Sequence, residues 1–118
     1  MAWTSKYFKR IEFQCKCGCG DANINLLLLP ILDDVREHFG APVIVNSAKR
    51  CIKHNKKVGG AEFSQHLLGN AADIVVKGAS PDDVHAYLTK KYPEALGIGK
   101  YKTFTHVDVR KKKARWVG

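Results

Sequence analysis

The chain is 118 residues long, with 20 Lys and Arg against 11 Asp and Glu, a formal net charge of +9 and a hydrophobic share of 45%. That length holds one core, read as a single domain over 1–118, and leaves no room for a separate binding module. The varied composition excludes a disordered or fibrous chain, and the longest apolar run, Ile24–Leu32, is broken by Asn25 and Pro30 and is too short to cross a bilayer.

Met1–Arg10 contains no apolar h-region, so no secretory signal is read and synthesis in the cytoplasm is expected. Cys15-Lys16-Cys17-Gly18-Cys19 then places three thiols at two-residue spacing, tighter than usual for a structural zinc site. Reduced thiols in a glycine-containing turn are the expectation there. Apolar residues at helical intervals (Leu28, Ile31, Leu32, Val35, Phe39) predict a helix over Leu26–Phe39, with Pro30 in its first turn or at a kink and Gly40 as its stop. Pro42–Asn46 reads as a short buried strand. Ser47–Lys57 reads as a basic helix or turn closed by Gly59-Gly60, with Cys51 as a small core residue.

Ala71–Val76 is a β-branched strand carrying Asp73. Ser80-Pro81-Asp82-Asp83 is a helix start with Ser80 as cap, Pro81 in the first position and acids in the first turn, and this helix should run to about Tyr92. Gly97–Tyr101 and Phe104–Arg110 read as strands joined by a Lys102-Thr103 turn. Alternation puts Phe104, His106, Asp108 and Arg110 on one face of the second strand, and Thr105, Val107 and Val109 on the other. The elements add up to an α+β domain with a small, mostly antiparallel sheet flanked by helices.

The chemistry concentrates in Ser64-Gln65-His66-Leu67-Leu68-Gly69-Asn70-Ala71-Ala72-Asp73 and in Phe104-Thr105-His106-Val107-Asp108. His66, Asp73 and His106 form a set of two imidazoles and a carboxylate, which leaves a fourth position on zinc for water and points to hydrolysis. Gly69 lets the backbone turn tightly between the first two ligands, and Ala71 and Ala72 keep bulk away from the metal. His38, His54 and His85 have no such company. Asp108 is the nearest carboxylate to His106, as a general base or as a partner that orients the ring. Glu62 is an outlying candidate base.

This pattern resembles the LAS-type zinc peptidases, which include D-alanyl-D-alanine carboxypeptidases and dipeptidases and phage L-alanyl-D-glutamate endopeptidases, with a fold shared by hedgehog domains. Ser47-Ala48-Lys49-Arg50, Asn55, Val58-Gly59-Gly60, Gly97–Tyr101 and Ala114-Arg115-Trp116 extend the resemblance over roughly Glu12 to Trp116. The resemblance implies that His66, Asp73 and His106 bind Zn2+. It implies that Arg50 holds the polarised carbonyl oxygen or a substrate carboxylate, and that Ser64 bonds a ligand or the substrate backbone, or braces the turn. Many relatives place an acid three residues before the second His; Thr103 stands there in this chain.

The expected function is therefore zinc-dependent hydrolysis of peptidoglycan stem peptides, as a phage endolysin released through a holin or as a virion-associated hydrolase. The short chain leaves minimal cleft loops, which favours endopeptidase over carboxypeptidase or dipeptidase action. Basic runs at Lys49–Lys57 and Arg110–Arg115 suit an anionic wall polymer. Nucleic acid is the disfavoured partner, because no helix-turn-helix or aromatic-interleaved RNA motif is present. A non-catalytic zinc-stabilised binding module is the alternative that Thr103 keeps open.

Overall fold

The apolar spacing reappears in the computed structural model, which describes residues 3, 5–62 and 64–118. Met1, Ala2, Thr4 and Phe63 lie outside the described residues, so the stretch read for an export signal is described only in part. After a 3-10 turn at Arg10–Phe13, helix α1 spans Leu28–Phe39. Pro30 occupies its third position, where the missing N–H has no intrahelical acceptor to lose. The helix begins two residues later than the spacing predicts, because Asn25 forms a turn whose side chain accepts from Leu27 N at 3.0 Å. Gly40 closes it at φ 59.

Strand β1 (Val43–Ser47), helix α2 (Ile52–Lys57), strand β2 (Ala71–Val76) and helix α3 (Pro81–Lys91) follow. Ser47 ends β1 rather than opening the basic helix, which is one short segment. Ser80 caps α3 as expected: its Oγ accepts from Asp83 N at 3.1 Å while Asp83 accepts from Ser80 N at 3.3 Å. Strands β3 (Gly97–Lys100), β4 (Thr105–Asp108) and β5 (Ala114–Val117) complete the chain.

The five strands form one sheet in the order β1-β2-β4-β3-β5, antiparallel except for the parallel β3–β5 pair. The mostly antiparallel α+β architecture read from the sequence is the one observed. Ala72, Ile74 and Val76 of β2 and Thr105 and Val107 of β4 turn to a core shared with Leu28, Leu32 and Val35 of α1 and with Val84 and Leu88 of α3. The alternate residues, Asp73, His106 and Asp108, lie on the opposite face, so one layer of helices supports the sheet from behind and leaves its front to chemistry.

Strand β5 has no counterpart in the sequence reading. Its side chains are only half buried, so no alternation marks it. It is fixed by Arg115, whose guanidinium donates to the carbonyls of Leu96 (2.7 Å), Tyr92 (2.7 Å) and Ala95 (2.9 Å) beyond the end of α3. Arg115 is thus a bracket and not a free surface cation. Cys51 also departs from expectation: it is half exposed, outside the core, and caps α2 by accepting from His54 N at 3.4 Å.

Candidate metal centre and cleft

Sheet register brings two of the three expected ligands together without any loop. Asp73 on β2 sits directly across from His106 on β4, and their side chains share the front face. His66 comes from the turn before β2. Gly69 takes φ +75 there, and a Cβ on it would run into the Asn23 carbonyl. Ser64 Oγ accepts from His66 N at 3.1 Å, and Arg50 N donates to His66 O at 3.1 Å, which docks the turn on the segment that follows β1. Ser64 therefore braces the ligand turn and also lines the cleft.

The polar contacts of the two rings decide which nitrogen carries a proton. His66 Nδ1 lies 2.7 Å from the Ala48 carbonyl, which can only accept, so Nδ1 donates. His106 Nε2 lies 2.8 Å from Asp108 Oδ2 and donates to that carboxylate. The inner nitrogens, His66 Nε2 and His106 Nδ1, then both face Asp73 Oδ1, at 3.2 and 2.9 Å. In the neutral rings these are lone pairs pointed at a carboxylate, an arrangement that requires a proton or a cation among them.

The ligand atoms of His66, Asp73 and His106 all lie within 4.8 Å of one another. Zinc bonds of ~2.0–2.1 Å at tetrahedral angles would set such donors ~3.3 Å apart, close to the observed separations. Holding the outer N–H on a carbonyl and a carboxylate is also how metal-binding histidines are normally oriented. The donor set therefore fits a zinc ion with an open position.

Without a cation, a proton among these atoms takes its place, and the electrostatic shifts follow from it. Burial opposes ionisation of Asp73, but hydrogen bonds from His106 and His66 outweigh it and bring its pKa down to about 2. For His106 burial works against protonation, yet its bonds to Asp108 and Asp73 win and raise the pKa above the ordinary imidazole value. Asp108 is fully buried; burial alone would raise its pKa, but Arg110 and His106 together hold it well below the usual carboxylate range. Arg110 forks onto it with Nε to Oδ1 at 2.8 Å and a terminal nitrogen to Oδ2 at 2.7 Å, and its backbone N–H adds a bond of 3.2 Å to Oδ1.

The three candidate ligands open into a cleft of about 460 Å³. Arg50 reaches it from the segment after β1, fixed by Nε to Ser47 Oγ (3.3 Å) and by a terminal nitrogen to Asn55 Oδ1 (3.2 Å), with its other nitrogen 3.7 Å from Asp73 Oδ2. One wall is aromatic: Tyr101 stacks on Phe104 at 4.5 Å, and Trp116 donates Nε1–H to the Tyr101 hydroxyl at 2.9 Å. Trp116 also lies 5.1 Å from the His106 ring and carries the Arg110 guanidinium over its face at 5.1 Å. The wall depends on two glycines of β3. A Cβ at Gly99 would collide with the Trp116 indole, and one at Gly97 with the Asp108 carboxylate and Arg110.

Among the described cleft-lining residues Asp73 is the one carboxylate. Asp108 lies beneath the floor, Glu62 is exposed and not part of the lining, and Thr103 sits in the exposed turn between β3 and β4. Sequence reasoning assigned no role to Tyr101, Trp116, Asn55 or Arg110. Arg110 was signalled by its shared strand face with His106 and Asp108, whereas Trp116 depended on the unpredicted β5. A larger hollow of about 710 Å³ between α1 and α3, where His38 stacks on Tyr87 at 3.7 Å, brings together no comparable donor set.

A family model described as Peptidase M15 matches residues 6–108. The match covers most of the chain, and the chain belongs to that family, the LAS-type peptidases related to zinc D-Ala-D-Ala peptidases. Membership supports a metallopeptidase with a peptidoglycan-type substrate. No curated protein sequence matches the chain. No helix among the described residues is long and apolar enough to cross a membrane.

Proposed function

We propose that this protein is a zinc-dependent peptidase that hydrolyses stem peptides of bacterial peptidoglycan, with His66, Asp73 and His106 as the zinc ligands. The observation that carries the proposal is the convergence of two inner ring nitrogens on Asp73 Oδ1 while both outer nitrogens are engaged elsewhere. Bound there, zinc supplies a Lewis acid that activates water and polarises a carbonyl.

The chain's own groups do the rest. Arg50, braced by Ser47 and Asn55, presents a fixed fork to the carbonyl oxygen as negative charge develops on it, or to a substrate carboxylate. Tyr101 accepts from Trp116, so its own hydroxyl proton is free to be donated into the cleft. Asp108 we assign to positioning: with both oxygens occupied by His106 and Arg110, it holds the His106 tautomer rather than moving protons. The aromatic wall and the Arg50 guanidinium suit a peptide that carries carboxylates. A cleft open to solvent favours endopeptidase action on polymer over trimming of a free terminus, and an endolysin or virion-borne setting is the one we favour.

The test is a digest of purified peptidoglycan by the zinc-loaded protein beside a chelated control, with products read by mass spectrometry. Chelator-sensitive release of new amino termini is expected, and the fragment masses name the bond. A second reading, a zinc-stabilised wall-binding module, is favoured by the lack of a free carboxylate among the described cleft-lining residues. Wall binding without any cleavage, with zinc bound, would establish that reading in place of the peptidase.

A further inference from the structure

Away from the cleft, the fold gathers the chain's four cysteines, three from one loop and one from the start of α2. The sulfurs of Cys15, Cys17, Cys19 and Cys51 all lie within 4.8 Å of one another. Cys15 is 3.4 Å from Cys17 and 3.8 Å from Cys51, and Cys17 is 3.6 Å from Cys51. A tetrahedron with zinc–sulfur bonds of ~2.3 Å has edges of ~3.8 Å, so this near-equal triangle has the dimensions of one face of a tetrathiolate centre. Pairing into disulfides would instead single out particular sulfurs. From this geometry we propose that Cys15, Cys17, Cys19 and Cys51 form a second, structural zinc site.

Local structure supports the assignment. The loop closes through Cys15 N to Asp21 O at 2.7 Å and Gly18 N to Cys15 O at 3.3 Å. Gly18 at φ +87 reverses the chain between Cys17 and Cys19, which reconciles the tight C-x-C-x-C spacing with a single site. Backbone N–H groups point at the sulfurs as they would at thiolates: Cys51 N at Cys15 Sγ (3.4 Å) and His54 N at Cys51 Sγ (3.4 Å). Cys17 and Cys19 are exposed, so a metal has open access. Four donors fill the coordination sphere, which leaves no position for substrate and makes the site a clamp.

The clamp has something to hold. Between the 3-10 turn and α1, residues 14–27 contain no helix or strand, and in a small domain such a segment benefits from a staple. Its far end is Cys51, the residue after Arg50. The four residues from Ala48 to Cys51 are therefore tied to His66 at one end, through the Ala48 carbonyl, and to the thiolate site at the other. Lys49 N also donates to Phe13 O at 3.3 Å. The proposed site fixes the backbone from which Arg50 enters the cleft, and it stands whether or not the cleft itself binds zinc.

The test uses the full chain purified under reducing conditions, with metal measured by mass spectrometry and its ligands by X-ray absorption. A His66→Ala, His106→Ala double variant should keep one zinc per chain in an all-sulfur shell at about 2.3 Å. A mercurial titrant should release that zinc in step with thiol reaction. Zinc absent from the double variant while all four thiols react freely, or disulfides in the intact mass, would overturn the proposal. Sulfur-ligated iron in its place would overturn the choice of metal. Cys51→Ser should lose the same zinc, and because that variant is at risk of misfolding, the titration of the double variant is the deciding measurement.

Discussion

Among the described residues two clusters bring metal-ligating atoms together, and they are built in opposite ways. The cleft cluster has three donors, all buried, and two of them are cross-strand neighbours fixed by sheet register. The thiol cluster has four donors, two of them exposed, and three hang from an irregular loop. A rigid platform with one donor too few suits a centre that exchanges ligands, while a pliant loop with a full set suits a centre that only has to close. The cleft donors are oriented by the Ala48 carbonyl and the Asp108–Arg110 pair, whereas two of the thiol sulfurs accept from backbone N–H groups.

That contrast is broken most severely by removing a cleft ligand. His66→Ala or Asp73→Ala should lower peptidoglycan hydrolysis by at least ~10³-fold, since loss of the metal removes the activated water and the polarised carbonyl together. Zinc content should fall by one equivalent while the thiol-held zinc stays. Hydrolysis at the wild-type rate in either variant would remove the cleft from the mechanism. A mild chelator applied to the wild type should reproduce the result, taking the zinc with the open position first.

Arg50→Ala leaves both clusters intact and tests the group between them. Removing one donor to a developing oxyanion costs ~10²–10³-fold in kcat, and zinc content should not change. A rise in KM with kcat preserved would assign Arg50 to a substrate carboxylate instead. Asp108→Asn should be milder. Partners that orient metal ligands are worth ~10–100-fold, and zinc affinity and activity should fall together by that amount. Activity lost with zinc affinity untouched would make Asp108 the proton carrier after all.

Much of this was legible from the residues because it is local or periodic. Gly69 between His66 and Asp73, the Ser80 cap, and the alternation that puts His106 beside Asp108 are all sequence-near relations, and each appears in the structure. What escaped is long-range. Cys51 reads as a core residue until folding lays it against a loop more than thirty residues upstream, on the order of a whole supersecondary unit. Trp116 becomes a cleft residue only through β5, whose parallel edge pairing follows no alternation. Asp108 read as an even choice between two roles because the shared strand face puts Arg110 near it without saying that the guanidinium will occupy both of its oxygens.

The smallest expected effect is on stability and concerns the cleft cluster alone. In the metal-stripped protein the His106 pKa is raised, through its bonds to Asp108 and Asp73 and against the opposing effect of burial. A raised pKa stabilises the fold below the unfolded imidazole value of ~6.5, and that contribution is lost as pH rises through the folded value. The carboxylates run the other way. Asp73, depressed to about 2, contributes above the unfolded value of ~3.9 and loses that contribution as pH falls through its folded pKa. The stripped protein should therefore melt highest between about pH 4 and 6.5 and soften on the alkaline side, where neutral rings leave their lone pairs facing Asp73. A zinc ion bound there would fill that gap, so the rise in melting temperature on adding it should grow from pH 6 to 8 for the wild type. Asp108→Asn should blunt the alkaline softening, and Cys51→Ser should leave its shape unchanged. An alkaline limb that follows the thiols instead would mean that the loop cluster, and not the cleft, sets the metal dependence of the fold.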